Sequence, residues 1–310
     1  MKISRKYISL AAAAMIIVSM SLAGCTGMPW QTGEDQTESK ETSESDVTKA
    51  ADETDGEDVT DVEIESQTLI DNDSCSVVIT DIIANGDADC TIKLELNNKS
   101  ADKTLIFASK YAVVEGLSVD PHWSCVVSPS SASNAQIDFY ADDIYADDIG
   151  YSDIAIMMVV YDMNNTKNVI SEQYIRIYPY GQENVSAYQR TSGDQDVILA
   201  ENELVKVTAI GLAEDETWGQ SVRLYIENKT ENDLQFVASN VSVNGKMADP
   251  SWGVVIPANA SGYSAITWSD ELLSENGITN IENISLTLIA NNYNDWTSKP
   301  VVSAEIVYAP

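Results

Sequence analysis

The sequence predicts an all-β protein built as two tandem β-sandwiches, and three observations predict it. First, one stretch occurs twice. Residues 94–129 read LELNNKSADKTLIFASKYAVVEGLSVDPHWSCVVSP, and residues 224–257 read LYIENKTENDLQFVASNVSVNGKMADPSWGVVIP. Asn98 matches Asn228, Phe107 matches Phe236, and Gly116 matches Gly245. Asp120-Pro121 matches Asp249-Pro250, and Trp123 matches Trp252, all at a spacing of about 130 residues. A repeat this long is a duplicated domain, not a solenoid unit of about 20–50 residues. Second, short runs alternate apolar and polar residues, the period of a half-buried strand. Third, about seven such runs fall in each copy with turn residues between them, the pattern of a sandwich.

In chain order, residues 1–24 form a leader. Lys2, Arg5 and Lys6 precede an apolar run over 8–20, too short to span a membrane comfortably. Leu22-Ala23-Gly24-Cys25 follows. That tetrapeptide resembles the lipobox of bacterial lipoproteins, which implies cleavage before Cys25 and a diacylglyceryl thioether on its sulfur. Two or more acyl chains hold a protein stably on the outer membrane face. Loss of the leader takes the net charge from -32 to -35. A chain so acidic is not expected to bind nucleic acid by bulk electrostatics. Residues 25–67 are rich in Glu, Asp, Ser and Thr. They lack the apolar content to offset ordering entropy, so a disordered acidic linker is expected.

The first sandwich is expected over 68–180. Its strands fall at 75–80, 91–96, 105–113, 123–127, 136–140, 154–161 and 172–178, with a turn at Asn85-Gly86-Asp87. The second is expected over 197–310, with strands at 204–212, 221–227, 234–243, 252–256, 263–268, 284–290 and 301–308. In the 221–227 strand Val222, Leu224 and Ile226 should face inward, and Arg223, Tyr225 and Glu227 outward. Each Asp-Pro should break strand pairing, because proline has no N–H to donate. One helical element interrupts each copy. Residues 269–277 have a capping serine, acids in the first turn and a closing glycine, and residues 142–150 are the weaker counterpart. Residues 181–196 are polar and read as the interdomain linker.

The second copy resembles an uncharacterised immunoglobulin-like domain of secreted Gram-positive lipoproteins. The residues that carry the resemblance are Ile226-Glu-Asn-Lys-Thr, Val241-Ser-Val-Asn-Gly245 and Asp270-Glu-Leu…Gly277-Ile. The first copy fits more loosely, with Val113-Val-Glu-Gly and an altered helix. The resemblance implies two tandem immunoglobulin-like sandwiches outside the cell; no activity comes with it.

Candidate chemistry is sparse. The single histidine, His122, is matched by Ser251, and its neighbours Pro121 and Trp123 suggest a strand entry. No glycine-rich phosphate loop is present. Cys75, Cys90 and Cys125 match Val205, Gln220 and Val254. Cys75 and Cys125 therefore read as small buried hydrophobes, with a Cys75–Cys90 bridge left open by the oxidising location. Asp142, Asp143, Asp147 and Asp148, with Asp153 nearby, offer hard oxygen ligands suited to Ca²⁺. A short solvated helix or turn with Ile144 and Ile149 tucked under is the simpler explanation, and no other cofactor is implied. Trp123 and Trp252 read as core aromatics, as does Trp268, matched by Phe139. Trp218 and Trp296 have no match and fall between strands. They are candidate ligand anchors unless they fold over a sheet edge. Fourteen tyrosines could enrich a binding face, although the sequence does not say which are exposed. The expected function is that of a membrane-anchored extracellular lipoprotein with no catalytic role, used for display, adhesion or binding of a protein or glycan partner. The alternative is a carbohydrate-binding or solute-capturing lipoprotein of an uptake system.

Overall fold

In the computed structural model of this chain, the described residues are 60–62, 66–84, 89–141, 146, 149–215, 219–295 and 297–310. They are nearly all β. The first copy supplies β1 (Thr60–Val62), β2 (Gln67–Asp71), β3 (Cys75–Ala84), β4 (Cys90–Asn98) and β5 (Leu105–Val114). It continues with β6 (Leu117–Val119), β7 (Ser124–Val127), β8 (Ser131–Phe139), β9 (Ile154–Asp162) and β10 (Asn165–Ile177). The second copy supplies β11 (Val197–Glu201), β12 (Val205–Asp215), β13 (Gly219–Asn228), β14 (Leu234–Val243) and β15 (Lys246–Met247). After these come β16 (Gly253–Ile256), β17 (Ser261–Trp268), the helix α1 (Asp270–Glu275), β18 (Ile284–Asn292) and β19 (Val302–Tyr308). Among the described residues no helix is long and apolar enough to cross a membrane.

The strands form three sheets around two cores. Strands β1 to β4 and β8 make the first sheet, and β14, β15, β16, β18 and β19 make the third. The middle sheet runs β10-β9-β5-β6-β17-β13-β12-β11, with β7 attached to β5. It therefore joins a sheet of the first copy to a sheet of the second through one parallel contact between β6 and β17. Alternation explains the packing. In β13, Val222, Leu224 and Ile226 are buried while Arg223 is exposed and Tyr225 half-buried. The same rhythm in β4 buries Ile92, Leu94 and Leu96. Phe107 and Phe236 occupy equivalent central positions, each fully buried in its own core.

The repeated Asn-Lys pair has a structural task. Asn98 Nδ2 donates to the carbonyls of Lys103, Val127 and Ser128 at 2.7, 2.9 and 3.0 Å, and its Oδ1 accepts from Ser100 N. Asn228 Nδ2 donates to Asn232, Ile256 and Pro257 at 2.8, 2.9 and 2.9 Å, and its Oδ1 accepts from Thr230 N. Both side chains are buried. Each asparagine ties the end of one strand to carbonyls that close the loop before the next, groups that burial would otherwise leave unpaired. The Asp-Pro turns are equivalent as well. Asp120 Oδ1 accepts from His122 N and Asp249 Oδ1 from Ser251 N, both at 2.9 Å, with the residue after proline in the left-handed region in each copy.

Several expectations need correction. Disorder through residue 67 fails at its C-terminal end, because Thr60–Val62 pairs with Ile82–Ala84 of β3 and β2 begins at Gln67. The open edge of β3 gives those backbone groups partners that composition does not reveal. Strands β2, β6, β11 and β15 were not expected; each is short, and an edge partner defines it more than its own periodicity. The 136–140 and 172–178 strands begin earlier than expected, at Ser131 and Asn165. Cys75 and Cys90 are buried free thiols, not a bridge. They sit at opposite ends of the β3–β4 pair, Cys75 opposite Asn98 and Cys90 opposite Ala84, some eight residues or about 27 Å apart along the strands. Burial pushes the Cys90 thiol up to about 12, which keeps it protonated and unreactive. The helix follows expectation: Ser269 Oγ accepts from Leu272 N, and Gly277 closes it with φ +59.

Candidate functional site: a tyrosine-lined cleft

The contact between β6 and β17 creates the site. Ser261 N donates to Gly116 O at 2.8 Å across the two copies. Gly262 eases the approach, since a Cβ there would lie 3.3 Å from Ser118 Cβ of the first copy, and it also leaves room for Ile256 Cδ1 of its own copy, 2.8 Å away. The equivalent position in the first copy is Ser133, by strand register. Tyr111 Oη reaches across the junction to Asp233 Oδ2 at 3.0 Å. Asp233 Oδ1 meanwhile accepts from Ala258 N, which fixes the carboxylate.

The connecting segment 181–196 reads from sequence as a linker, and the structure ties it down at both ends. Ser186 Oγ donates to the buried Glu115, and Tyr188 N donates to Glu115 O. Further along, the hydroxyls of Tyr188 and Tyr263 are 2.9 Å apart. Arg190 makes a two-pronged pair with Asp196 at 2.6 and 2.7 Å and lies 5.2 Å over the ring of Tyr225. That ring packs 5.1 Å from Tyr263. Burial pushes the Glu115 carboxyl up, but hydrogen bonds from Ser152, Ser186 and Gly150 outweigh it and hold the group below its usual 4.5. A carboxyl lowered in this way stabilises the fold fully above the unfolded value and loses that contribution as pH falls through the folded one. Urea midpoints compared at pH 7 and pH 3 should therefore drop further for the native chain than for Glu115→Gln, whose midpoint at pH 7 is already lower.

Between the copies lies a cleft of about 530 Å³. The first copy contributes Lys110, Tyr111, Ser118, Asp120 and Tyr161; the second contributes Val254, Val255, Ile256, Tyr263 and Tyr293. Lys110 is ion-paired with Glu172. Burial works against the ammonium, yet the Glu172 hydrogen bond and charge outweigh it and hold the group above its usual value. Burial also raises Tyr161, with Lys110 pulling the other way, so the phenol stays neutral at physiological pH. Strand register gives the counterparts of three cleft tyrosines in the other copy. Tyr161 corresponds to Asn291, Tyr263 to Asn134 and Tyr293 to Met163, and the spacing of the repeat matches Tyr111 to Asn240 across a bulge. None of the four tyrosines is repeated, and all four meet in one place.

The residues singled out from sequence lie elsewhere or outside view. Cys25, Asp142, Asp143, Asp147, Asp148, Trp218 and Trp296 all fall outside the described residues. Asp153 is described and is not available as a calcium ligand; it is buried and held by Arg176, whose Nε donates at 2.7 Å. Among the described residues no cluster of three or more His, Cys, Asp or Glu side chains is placed to hold a metal ion. His122 is 85% exposed on the Asp-Pro turn, with no nucleophile against it in the contacts described. Trp123 and Trp268 are core residues, and Trp268 Nε1 donates to Ala248 O at 2.9 Å. Trp252 is only half-buried and donates to Ser264 Oγ at 3.0 Å. The cleft was missed because reading for unmatched aromatics stopped at tryptophan. The same comparison of copies applied to tyrosine carries the signal.

No family model matches the chain, and no curated protein matches it by sequence. Among solved structures it has a likeness to red sea bream transglutaminase, 8% identical with a TM-score of 0.21 over 71% of this chain. The chain spans 28% of that protein's length, and a likeness of this size carries no argument about fold or activity.

Proposed function

We propose that this chain is a lipid-anchored extracellular protein of two tandem immunoglobulin-like sandwiches, that it binds a partner without catalysing a reaction, and that the cleft between the copies is its contact face. The observation that carries the reading is the convergence of Tyr111, Tyr161, Tyr263 and Tyr293, unmatched in the repeat, at the one junction where the copies meet. What two copies share is explained by folding one unit. What only one copy has, gathered at one place, needs another reason. Tyrosines offer large rigid contact area with a polar tip, the composition of contact centres. The leader and Cys25 support placement outside the cell, and an acidic tether of 25–59 separates the folded part from the lipid.

The test has two arms. The native chain should partition with membranes and take up a palmitate label, and Cys25→Ser should do neither. Soluble Cys25→Ser protein should co-sediment with isolated cell envelopes, and adding Tyr161→Ala with Tyr293→Ala should reduce that at least tenfold. Equal sedimentation of the two proteins removes the cleft as contact face; free release of the native chain from membranes removes the anchor.

A further inference from the structure

We infer that the cleft takes an uncharged oligosaccharide, an inference that rests on the cleft being the contact face. Sugar rings present an apolar C–H face with hydroxyls round the edge. The cleft offers the complement. Tyr111, Tyr161, Tyr263 and Tyr293 line it with aromatic rings, and the half-buried Val254 and Val255 add aliphatic surface. Asp120, about half exposed at the rim, provides a carboxylate that can accept from sugar hydroxyls, and Ser118 lines the same wall. The volume of about 530 Å³ lies within the range of roughly 300–1,000 Å³ typical of small-ligand sites. It suits a few sugar rings and leaves no room for a folded partner to enter.

Charge decides against the other ligand classes. The ammonium of Lys110 is already taken by Glu172, and the other charged lining residue is the carboxylate Asp120. No unpaired cation faces the cleft among its described lining residues. Together with a chain charge of -32, that repels polyanions such as acidic polysaccharides or phosphopolymers. A cationic peptide finds one counter-charge in the lining, Asp120, and that carboxylate already accepts from His122 N. A neutral chain meets neither penalty and uses every feature that is present. Tyr161 and Tyr293 come from different copies, so a bound oligosaccharide bridges the junction and should hold it closed.

Titration calorimetry on the full chain tests this, with cellohexaose, maltohexaose and chitohexaose as neutral probes. Polygalacturonate is the anionic probe and hexalysine the cationic one. The expected result is binding of at least one neutral hexasaccharide, weakened tenfold or more by Tyr161→Ala and by Tyr293→Ala and unchanged by Tyr174→Ala. Tyr174 is half exposed on β10 and lies outside the cleft lining. Thermal midpoints of the three variants, being substitutions of partly exposed side chains, check that folding is intact. Binding of polygalacturonate or hexalysine in place of the neutral sugars overturns the inference, as does neutral-sugar binding indifferent to Tyr161 and Tyr293. Absence of binding by all three hexasaccharides overturns it too. Envelope sedimentation then separates the two levels. If it still depends on Tyr161 and Tyr293, the cleft stands and only the sugar class is wrong; if it does not, the contact face itself is wrong.

Discussion

Asn228→Ala should destabilise the second core by about 1–3 kcal/mol, more than a typical surface change. The estimate rests on removing one donor from three carbonyls, of which Asn232 O keeps Thr230 Oγ1 and Pro257 O keeps Ala260 N, so that Ile256 O is the most exposed to loss. Each unpaired buried polar group costs about 1–3 kcal/mol, lessened where water reaches it. Water is a poor substitute for the amide, because the asparagine is 2% exposed and sits under the loop that it closes. Asn228→Asp is the sharper control. It keeps an acceptor for Thr230 N and replaces the donor by a carboxylate facing three carbonyls, so it should be worse than alanine. Asn98→Ala should produce the same loss in the first core, since its three carbonyl contacts are the same in kind. Urea unfolding followed by tyrosine and tryptophan fluorescence measures both. A change below about 1 kcal/mol, the net worth of one ordinary hydrogen bond, would show that the clamp is not a fold determinant.

Gly262→Val should strain the junction and, within the second copy, the core packing of Ile256. Its Cβ would fall 2.8 Å from Ile256 Cδ1 and 3.3 Å from Ser118 Cβ, one atom from each side of the contact. Forcing such overlap costs about 1–3 kcal/mol in a packed interior. Ile256 lies in the same copy and must repack its Cδ1, while the Ser118 overlap is relieved if β6 and β17, which share only the Ser261–Leu117 register position, part. Parting breaks the Ser261–Gly116 bond, pulls Tyr111 from Asp233 and separates Tyr161 from Tyr293. X-ray scattering should show a larger radius of gyration, and envelope binding should fall at least tenfold. Circular dichroism should keep its β signature. Unchanged scattering from Gly262→Val would show that the junction does not depend on close backbone approach at that position.

Alternation at period two in residues 221–227 sets which side chains face the core, since successive side chains point to opposite faces of a strand. The duplicated Asn-Lys-Ser and Asn-Lys-Thr turns marked positions that each unit needs in order to close, and both proved to be buried clamps. Ser269 and Gly277 announced the Asp270–Glu275 helix through capping chemistry that is local by nature. Less legible were the strands that owe their existence to a neighbour. Thr60–Val62 belongs to an acidic run and becomes a strand only because β3 offers it an edge. The Cys75–Cys90 question, open from sequence, closed once register put the two thiols at opposite ends of a strand pair.

By itself the sequence determined the duplication, the all-β class, the inward faces and the turns. These depend on interactions within a few residues or on comparison of one copy with the other. Only the tertiary structure decided which outward faces meet. Alternation tells a tyrosine that it points away from its own core and says nothing about what lies beyond. Tyr111 and Asp233 are 122 positions apart, and Tyr161 and Tyr293 share a cleft because one backbone contact at Gly116 and Ser261 brings two separate sheets into one.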